Sequence, residues 1–151
     1  MFSKNRKLLL VYACAMSLSS AAFAKAKNSE YVEISADQLK WFEVPGTPLK
    51  MAVAWGNPQE GAHGRFLKLP AGFEAGMHAH TNDYDSVVIS GTWIHWEEGS
   101  TTPKEFTAGS YVHQPGMHFH NDKCKVGADC ILYTHQTGKN DYIPAKAAKK
   151  N

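Results

Sequence analysis

The chain has 151 residues, which is enough for one domain with a hydrophobic core. Its 16 basic and 14 acidic side chains give a formal net charge of +2. No basic patch supports nucleic-acid binding, so we expect no nucleic-acid partner.

The first element in chain order is a predicted secretory signal peptide over residues 1–24. Its start is basic, residues 8–22 are mostly small and apolar, and Ala22-Phe23-Ala24 matches an A-x-A cleavage site. The apolar run is too short and too rich in serine for a good membrane span. A lipoprotein signal through Cys14 is the alternative, but a bulky Tyr12 precedes it and the better cleavage site lies downstream. We therefore expect a periplasmic or secreted protein with no stable membrane anchor after cleavage.

Cleavage would change the charge of the chain. Three of the 16 basic residues lie in the signal segment, so 13 would remain against 14 acidic ones, a net charge of −1. At the other end, residues 146–151 form a short Ala/Lys tail that we expect to be flexible. The domain itself is predicted to span residues 25–145.

The domain is predicted to be all-β. Short runs rich in β-branched and aromatic residues are separated by Gly, Pro, Asn and Asp, which is typical of a barrel or sandwich. One short helix is predicted over Ser35–Trp41, with Ser35 as N-cap and Gln38 three residues later. The predicted strands are Lys50–Ala54, Gly64–Leu69, Asp85–Ser90, Thr92–Glu97, Ser110–Gln114 and Cys130–His135.

Closely spaced histidines occur in a first stretch bracketed by glycines, Gly72 to Gly91. His78 and His80 are two residues apart, so on a strand both side chains point to the same face. Buried neighbouring imidazoles without a shared partner are costly, and a bound cation would supply that partner. A solvent-facing pair would need no explanation, so this spacing alone is weak evidence for a metal.

A second stretch, which opens at Gly109, repeats the pattern. A strand ends at Pro115, and His118 and His120 follow with the same two-residue spacing. Antiparallel strands of a barrel could bring this stretch beside the first. The two stretches together favour a metal site, with hydrogen-bonded histidines and no metal as the alternative.

Cys124 and Cys130 are the two cysteines that remain after signal cleavage. The five residues between them, including Gly127, allow a turn that brings the two Cα atoms within bridging distance. In an exported protein the first interpretation is a disulfide, and metal ligation by the thiolates is the second.

Both histidine stretches resemble the motifs of the cupin superfamily. Motif 1 is a glycine, five residues, H-x-H, three or four residues, a glutamate, six residues and a glycine. Motif 2 has a proline six residues and a histidine eleven residues after its opening glycine. The matching residues are Gly72, His78, His80 and Gly91 for motif 1, and Gly109, Pro115 and His120 for motif 2. The resemblance implies a single-domain cupin, a double-stranded β-helix or jelly-roll barrel.

The likeness extends over nearly the whole chain after the signal. It is to small bacterial cupins without an assigned function, related to the cupin domain of ChrR-type anti-sigma factors. The residues that carry it are Trp55-Gly-Asn-Pro58, Gly61, Gly91-Thr-Trp93 and the segment from Cys130 to Gly138. The paired motifs are more specific for the fold than for a reaction.

The resemblance implies His78, His80 and His120 as metal ligands, but the glutamate of motif 1 is missing. Counting back from the motif's last glycine its place falls on Tyr84, and counting forward from His80 it falls on Asp85. On a regular strand these two point to opposite faces, so Asp85 would need a bulge to reach a metal.

Other residues receive secondary roles. Asp85 and His118 are reserve metal ligands. Tyr84 and His113 are candidate catalytic residues that would position a substrate, His113 from the strand before Pro115.

The expected cofactor is one divalent transition metal, and imidazole donors do not distinguish Fe, Zn, Ni, Mn or Cu. Three histidines with open positions are typical of catalytic sites, and three-histidine cupins resemble iron-dependent thiol and diketone dioxygenases. The sequence thus predicts an exported metal-binding cupin, a metal-dependent enzyme of dioxygenase type acting on a small molecule. The alternative is a non-catalytic sensor or carrier of metal or ligand. Because cupins often dimerise through barrel faces, a homodimer is also expected.

Overall fold

The computed structural model describes residues 31–146, and those from Val32 onward belong to one compact unit. The predicted signal peptide and residues 147–151 of the predicted tail lie outside the described residues. Within the described range, no helix has the length and apolar character that crossing a bilayer requires.

The described chain contains one 3₁₀-helix, Ala36–Gln38, and eleven strands. The strands are β1 (Phe42–Glu43), β2 (Lys50–Gly56), β3 (His63–Leu69), β4 (His78–Ala79), β5 (Tyr84–Ser90), β6 (Trp93–Glu97), β7 (Lys104–Phe106), β8 (Tyr111–Gln114), β9 (His120–Cys124), β10 (Cys130–Gln136) and β11 (Ile143–Pro144).

Two antiparallel sheets form the jelly-roll barrel of a single-domain cupin, as predicted. Six strands pair in the order β1-β2-β3-β10-β5-β8, and five in the order β11-β4-β9-β6-β7. Six buried residues from the two sheets form an apolar cluster in the interior. It consists of Leu69, Val88, Trp93, Cys124, Cys130 and Leu132.

The predicted helix is shorter than expected. Ser35 caps it as expected, because its backbone N–H donates to Oε1 of Gln38 at 3.1 Å, but only one 3₁₀ turn forms. The backbone is extended again at Leu39, and Phe42 pairs with Met51 of β2. Strand pairing thus replaces the helical hydrogen bonds that a segment this short could not sustain alone.

A disulfide joins Cys124 at the end of β9 to Cys130 at the start of β10, with Cα atoms 5.7 Å apart. Both side chains are fully buried in the apolar cluster. The bridge therefore closes the β9–β10 turn at the same place where the two sheets pack. Disulfides persist in oxidising compartments, so this bond hints at such a location.

Side chains of strand β5 alternate between the interior and the outer face of the sheet. Its burial alternates, with Tyr84, Ser86 and Val88 buried and Asp85 turned outward. No register shift separates Tyr84 and Asp85 from their partners on β8 or β10, so no bulge brings Asp85 inward.

Candidate metal centre

The register of two short strands brings the histidine stretches together. His78 of β4 lies directly opposite His120 of β9, and His80 follows β4 immediately. The ring centroids are 4.4 Å apart for His78 and His120, 5.0 Å for His78 and His80, and 5.5 Å for His80 and His120. One ring nitrogen from each residue lies within 4.8 Å of the others.

Backbone carbonyls fix the orientation of all three rings. Nδ1 of His78 lies 2.8 Å from the Gly76 carbonyl, and Nδ1 of His80 lies 2.5 Å from the Asp141 carbonyl. Nδ1 of His120 lies 3.0 Å from the His118 carbonyl. A carbonyl only accepts, so each Nδ1 carries the proton and each neutral ring presents an Nε2 lone pair. Metal-binding histidines are oriented in this way in proteins.

Burial keeps two of these imidazoles neutral. It lowers the pKa of His120 to about 4, and the pKa of His80 also lies below its ordinary value, chiefly because of burial. At pH 7 these rings are therefore uncharged and able to donate an electron pair.

Tyr84 lies beside the cluster, at the place where motif 1 has its glutamate. Its hydroxyl is 3.0 Å from Nε2 of His120, and its side chain is buried. Burial raises the pKa of Tyr84 well above its usual value, and the nearby carboxylate of Asp122 adds to the effect. The phenol therefore stays protonated and can donate one hydrogen bond into the site.

A carboxylate that is not among the predicted site residues also lies at this centre, Asp122. Its Oδ2 lies 3.7 Å from Nε2 of His78 and 3.8 Å from Nε2 of His120, while Oδ1 accepts from Nδ1 of His95 at 2.8 Å. Burial raises the pKa of Asp122, but the His95 hydrogen bond and the neighbouring histidines outweigh burial and lower it overall. The signal was available, because Asp122 follows His120 by two residues and shares its face of a strand.

His95 is supported from its other side. Its Nε2 faces Oε1 of Gln114 at 3.0 Å, and the amide of Gln114 donates to the His118 carbonyl at 3.3 Å. This chain of contacts holds the Asp122 carboxylate toward the cluster. Nothing in the immediate sequence of His95 indicates this role.

Three other predicted site residues lie apart from the cluster. Asp85 faces the outer surface, where it accepts from Nδ1 of His113 at 2.8 Å and from Tyr111. His113 is half-exposed on that outer face. His118 is exposed and offers its backbone carbonyl to His120 and Gln114. Side chains alternate between the two faces along β5 and β8, and this alternation explains the outward positions of Asp85 and His113.

A cavity of about 550 Å³ opens on the cluster. His78, His80, Tyr84 and Asp122 line one part of it, and Leu67, Leu69, Phe73 and Leu132 line another. Its size suits a small molecule, and such pockets combine an apolar wall with a few converging polar groups.

The residues present fit a divalent transition metal. Nε2 of His78 and Nε2 of His80 have no hydrogen-bond partner within residues 31–146, and both residues line the cavity. Imidazole nitrogens and an adjacent carboxylate are the donors that such metals accept. Structural sites are usually closed by four protein ligands, whereas this set leaves room for other molecules.

The two sheets of the barrel, with the histidine cluster inside it, have the fold of cupins. The chain belongs to the family described as a domain of unknown function, DUF4437, whose model matches residues 19–143. No functionally curated protein shows significant similarity to the chain.

Solved structures with the same fold include several cupins. An RmlC-like cupin from Shewanella frigidimarina NCIMB 400 is 24% identical, with a TM-score of 0.56 over 72% of this chain and 92% of that chain. The structure of Rhodobacter sphaeroides SigE in complex with the anti-sigma ChrR matches with 20% identity and a TM-score of 0.54 over 68% of this chain and 51% of that one. The polyketide cyclase RemF from Streptomyces resistomycificus has 12% identity and a TM-score of 0.65 over 80% and 89%. At these identities the likeness establishes the fold alone.

Proposed function

We propose that this chain binds one divalent transition metal through Nε2 of His78, His80 and His120 and uses it to transform a small molecule. The observation that carries the proposal is the orientation of the three rings. Each ring has its Nδ1 proton engaged by a backbone carbonyl, and one nitrogen of each ring lies within 4.8 Å of the others. Neutral histidines that hydrogen-bond only among themselves would not need this shared arrangement.

Residues around the three ligands have distinct tasks in the proposed reaction. With Nε2 of His120 engaged by a metal, the protonated, buried hydroxyl of Tyr84 would be free to donate a hydrogen bond to a substrate atom. Asp122 would complete the ligand set or accept a proton from the substrate, since its Oδ2 already faces two of the ligand nitrogens. The apolar part of the cavity would hold the substrate body and exclude water.

A bound metal would supply open coordination positions at which a substrate becomes more reactive. A dioxygenase-type reaction is the form we propose, on the analogy of three-histidine cupins. The fold does not choose the reaction, because similar structures include the RemF polyketide cyclase and an anti-sigma protein complex.

Metal analysis of the purified protein tests the ligand assignment. We expect close to one transition metal per chain, and loss of that metal in the His78→Ala/His80→Ala double variant. His113→Ala is the matched control, since that histidine lies on the outer face, and it should keep the metal. Sub-stoichiometric metal in every preparation, or full retention by the double variant, would refute the assignment.

Oxygen consumption by the iron-loaded protein across a panel of thiols and diketones tests the enzymatic role. Turnover that disappears in the double variant and persists in His113→Ala supports the proposal. Tight stoichiometric ligand binding without turnover would instead favour a sensor or carrier.

We also propose that the chain is exported, with cleavage after residue 24 and a domain of residues 25–145. The apolar N-terminal segment and the Cys124–Cys130 disulfide support this location. Mass spectrometry of protein from the periplasmic fraction should give a chain that begins at Lys25, and an uncleaved cytosolic chain would contradict export. Light scattering would test the predicted homodimer.

A further inference from the structure

The barrel interior contains a buried cation without an anionic partner, Arg65 of β3. It is only 7% exposed and lines the cavity. Its Nε donates to Oγ1 of Thr134 at 3.1 Å and its Nη1 to Oδ1 of Asn140 at 2.6 Å. Both partners are neutral, and within residues 31–146 no carboxylate makes an ion pair with the guanidinium.

An isolated buried charge is costly unless an opposite charge compensates it. Burial lowers the pKa of Arg65 to about 10, which still leaves the guanidinium protonated at pH 7. Guanidinium presents five donors in a planar fork, and only Nε and Nη1 are engaged by oxygen acceptors. Donors thus remain for an anion that enters from the cavity.

A second buried group at the same place also lacks a partner. Ser86 of β5 is 1% exposed and lines the cavity, and its Oγ has no hydrogen-bond partner within the described residues. Strand register aligns it with the arginine, because Thr134 of β10 pairs with Arg65 on one side and with Ser86 on the other. Arg65, Thr134 and Ser86 therefore form one polar row across three adjacent strands.

This row lies between the metal centre and the apolar wall. Tyr84 precedes Ser86 by two residues on the same face of β5, which places the row about 7 Å along the strand from the tyrosine. On the side of the row away from Tyr84 lie two leucines that also line the cavity. Leu67 is two residues after Arg65 on β3, and Leu132 is two residues before Thr134 on β10. A ligand held at the row would reach toward the histidines at one end and contact leucines at the other.

The charges of the cavity limit the ligand to a monoanion. Arg65 is the one cationic side chain among the described residues that line it, and Glu74, Asp122 and Asp141 also line it. A dianion such as a phosphate ester would meet one cation and several carboxylates, whereas a carboxylate matches the guanidinium in charge and shape.

We propose that Arg65 and Ser86 form an anion subsite that holds the carboxylate of a small organic acid inside the barrel. Arg65 donates to the carboxylate through its unengaged N–H groups, and the Ser86 hydroxyl donates the additional hydrogen bond. The subsite deepens the proposed function, because it places an organic acid beside the histidines. Binding of the acid does not depend on that function, but a reaction of the ligand at the histidines rests on it.

Binding of matched carboxylates and amides tests the subsite. The probes are propanoate against propanamide and benzoate against benzamide, at pH 7 and measured by calorimetry or ligand-observed NMR. We expect each acid to bind at least about tenfold more tightly than its amide, because hydrogen bonds to ionised groups are the stronger ones. Equal affinities within both pairs would overturn the proposal without any mutation.

Variants assign the preference for a carboxylate over its amide to particular residues. Arg65→Met should abolish this preference, and Ser86→Ala should weaken acid binding about three- to tenfold. Lys68→Met is the matched control, a cation of the same strand that stacks on Trp41 instead of lining the cavity, and it should change nothing. Retention of the preference in a folded Arg65→Met protein would overturn the assignment. If that variant does not fold, unchanged acid affinity in Ser86→Ala would do so.

The His78→Ala/His80→Ala variant separates this inference from the metal proposal. A carboxylate preference that persists in this protein supports the subsite, whether or not the unmodified protein binds metal. A preference found only in metal-loaded protein would mean that the metal itself holds the acid, and would overturn the subsite while leaving the proposed function intact.

Discussion

Burial of a neutral His120 makes the stability of the metal-free protein depend on pH. The pKa of His120 is about 4 in the folded chain against an ordinary 6.5. Between these values the unfolded chain binds a proton that the folded chain does not, so stability is lost as the pH falls through this window. The difference between the two values corresponds to about 3 kcal/mol, of which about 2 to 3 kcal/mol is lost by pH 4.5.

Urea denaturation of metal-free protein at pH 7.5 and pH 4.5 measures this loss. His120→Gln removes the titrating ring and should lose about 2 to 3 kcal/mol less than the unmodified protein over the same interval. The contribution of His80, whose pKa is also lowered, is present in both proteins and cancels in the comparison. The reasoning fails if both proteins lose the same stability to within about 0.5 kcal/mol, the usual scatter of such differences.

Three further predictions concern the scaffold. Replacing Cys124 and Cys130 by serine should lower the free energy of unfolding by about 2 kcal/mol from the loss of a short closed loop, measured in urea with the oxidised, disulfide-bonded unmodified protein as reference; an unchanged midpoint would contradict it. Trp93→Ala, at a side chain 1% exposed, should cost about 3 to 5 kcal/mol by the same assay, and a cost below about 1 kcal/mol would place this residue outside the core. Gly91→Ala should also destabilise by about 1 kcal/mol or more, because Gly91 has a φ of +79° and an added Cβ would lie 2.9 Å from the Cα of Cys130; an unchanged melting temperature would argue against that close approach.

The strands that the sequence predicts are those with a strong local signal. Runs such as Asp85–Ser90 and Cys130–His135 are rich in β-branched or aromatic residues, and both lie within observed strands. β9 has no such signal, since His120–Cys124 is a polar segment whose buried position depends on pairing with β6. β4 is two residues long and exists because β9 and β11 flank it. Local propensity cannot reveal strands that tertiary pairing creates.

For the candidate site, spacing alone placed Tyr84 and Asp85 on opposite faces of one strand. It did not show which of the two side chains faces inward. The answer depends on the register of β5 against its neighbours, which turns Tyr84 toward His120 and Asp85 toward His113. A shift of one residue would have reversed the two, because the side-chain period of a strand is two.

The motifs, read in one dimension, predicted the cupin fold and named His78, His80 and His120 as candidate ligands. Only the tertiary structure brought Asp122 and Arg65 to the same cavity, because each lies on a strand whose partners are distant in the sequence. A carboxylate or a guanidinium acquires its role from what surrounds it in the interior, where the dielectric is low and every unpaired polar group is costly. Residue spacing places Asp122 on the same strand face as His120, but it does not show what surrounds either side chain, so the ligand geometry and the anion subsite could come only from the folded chain.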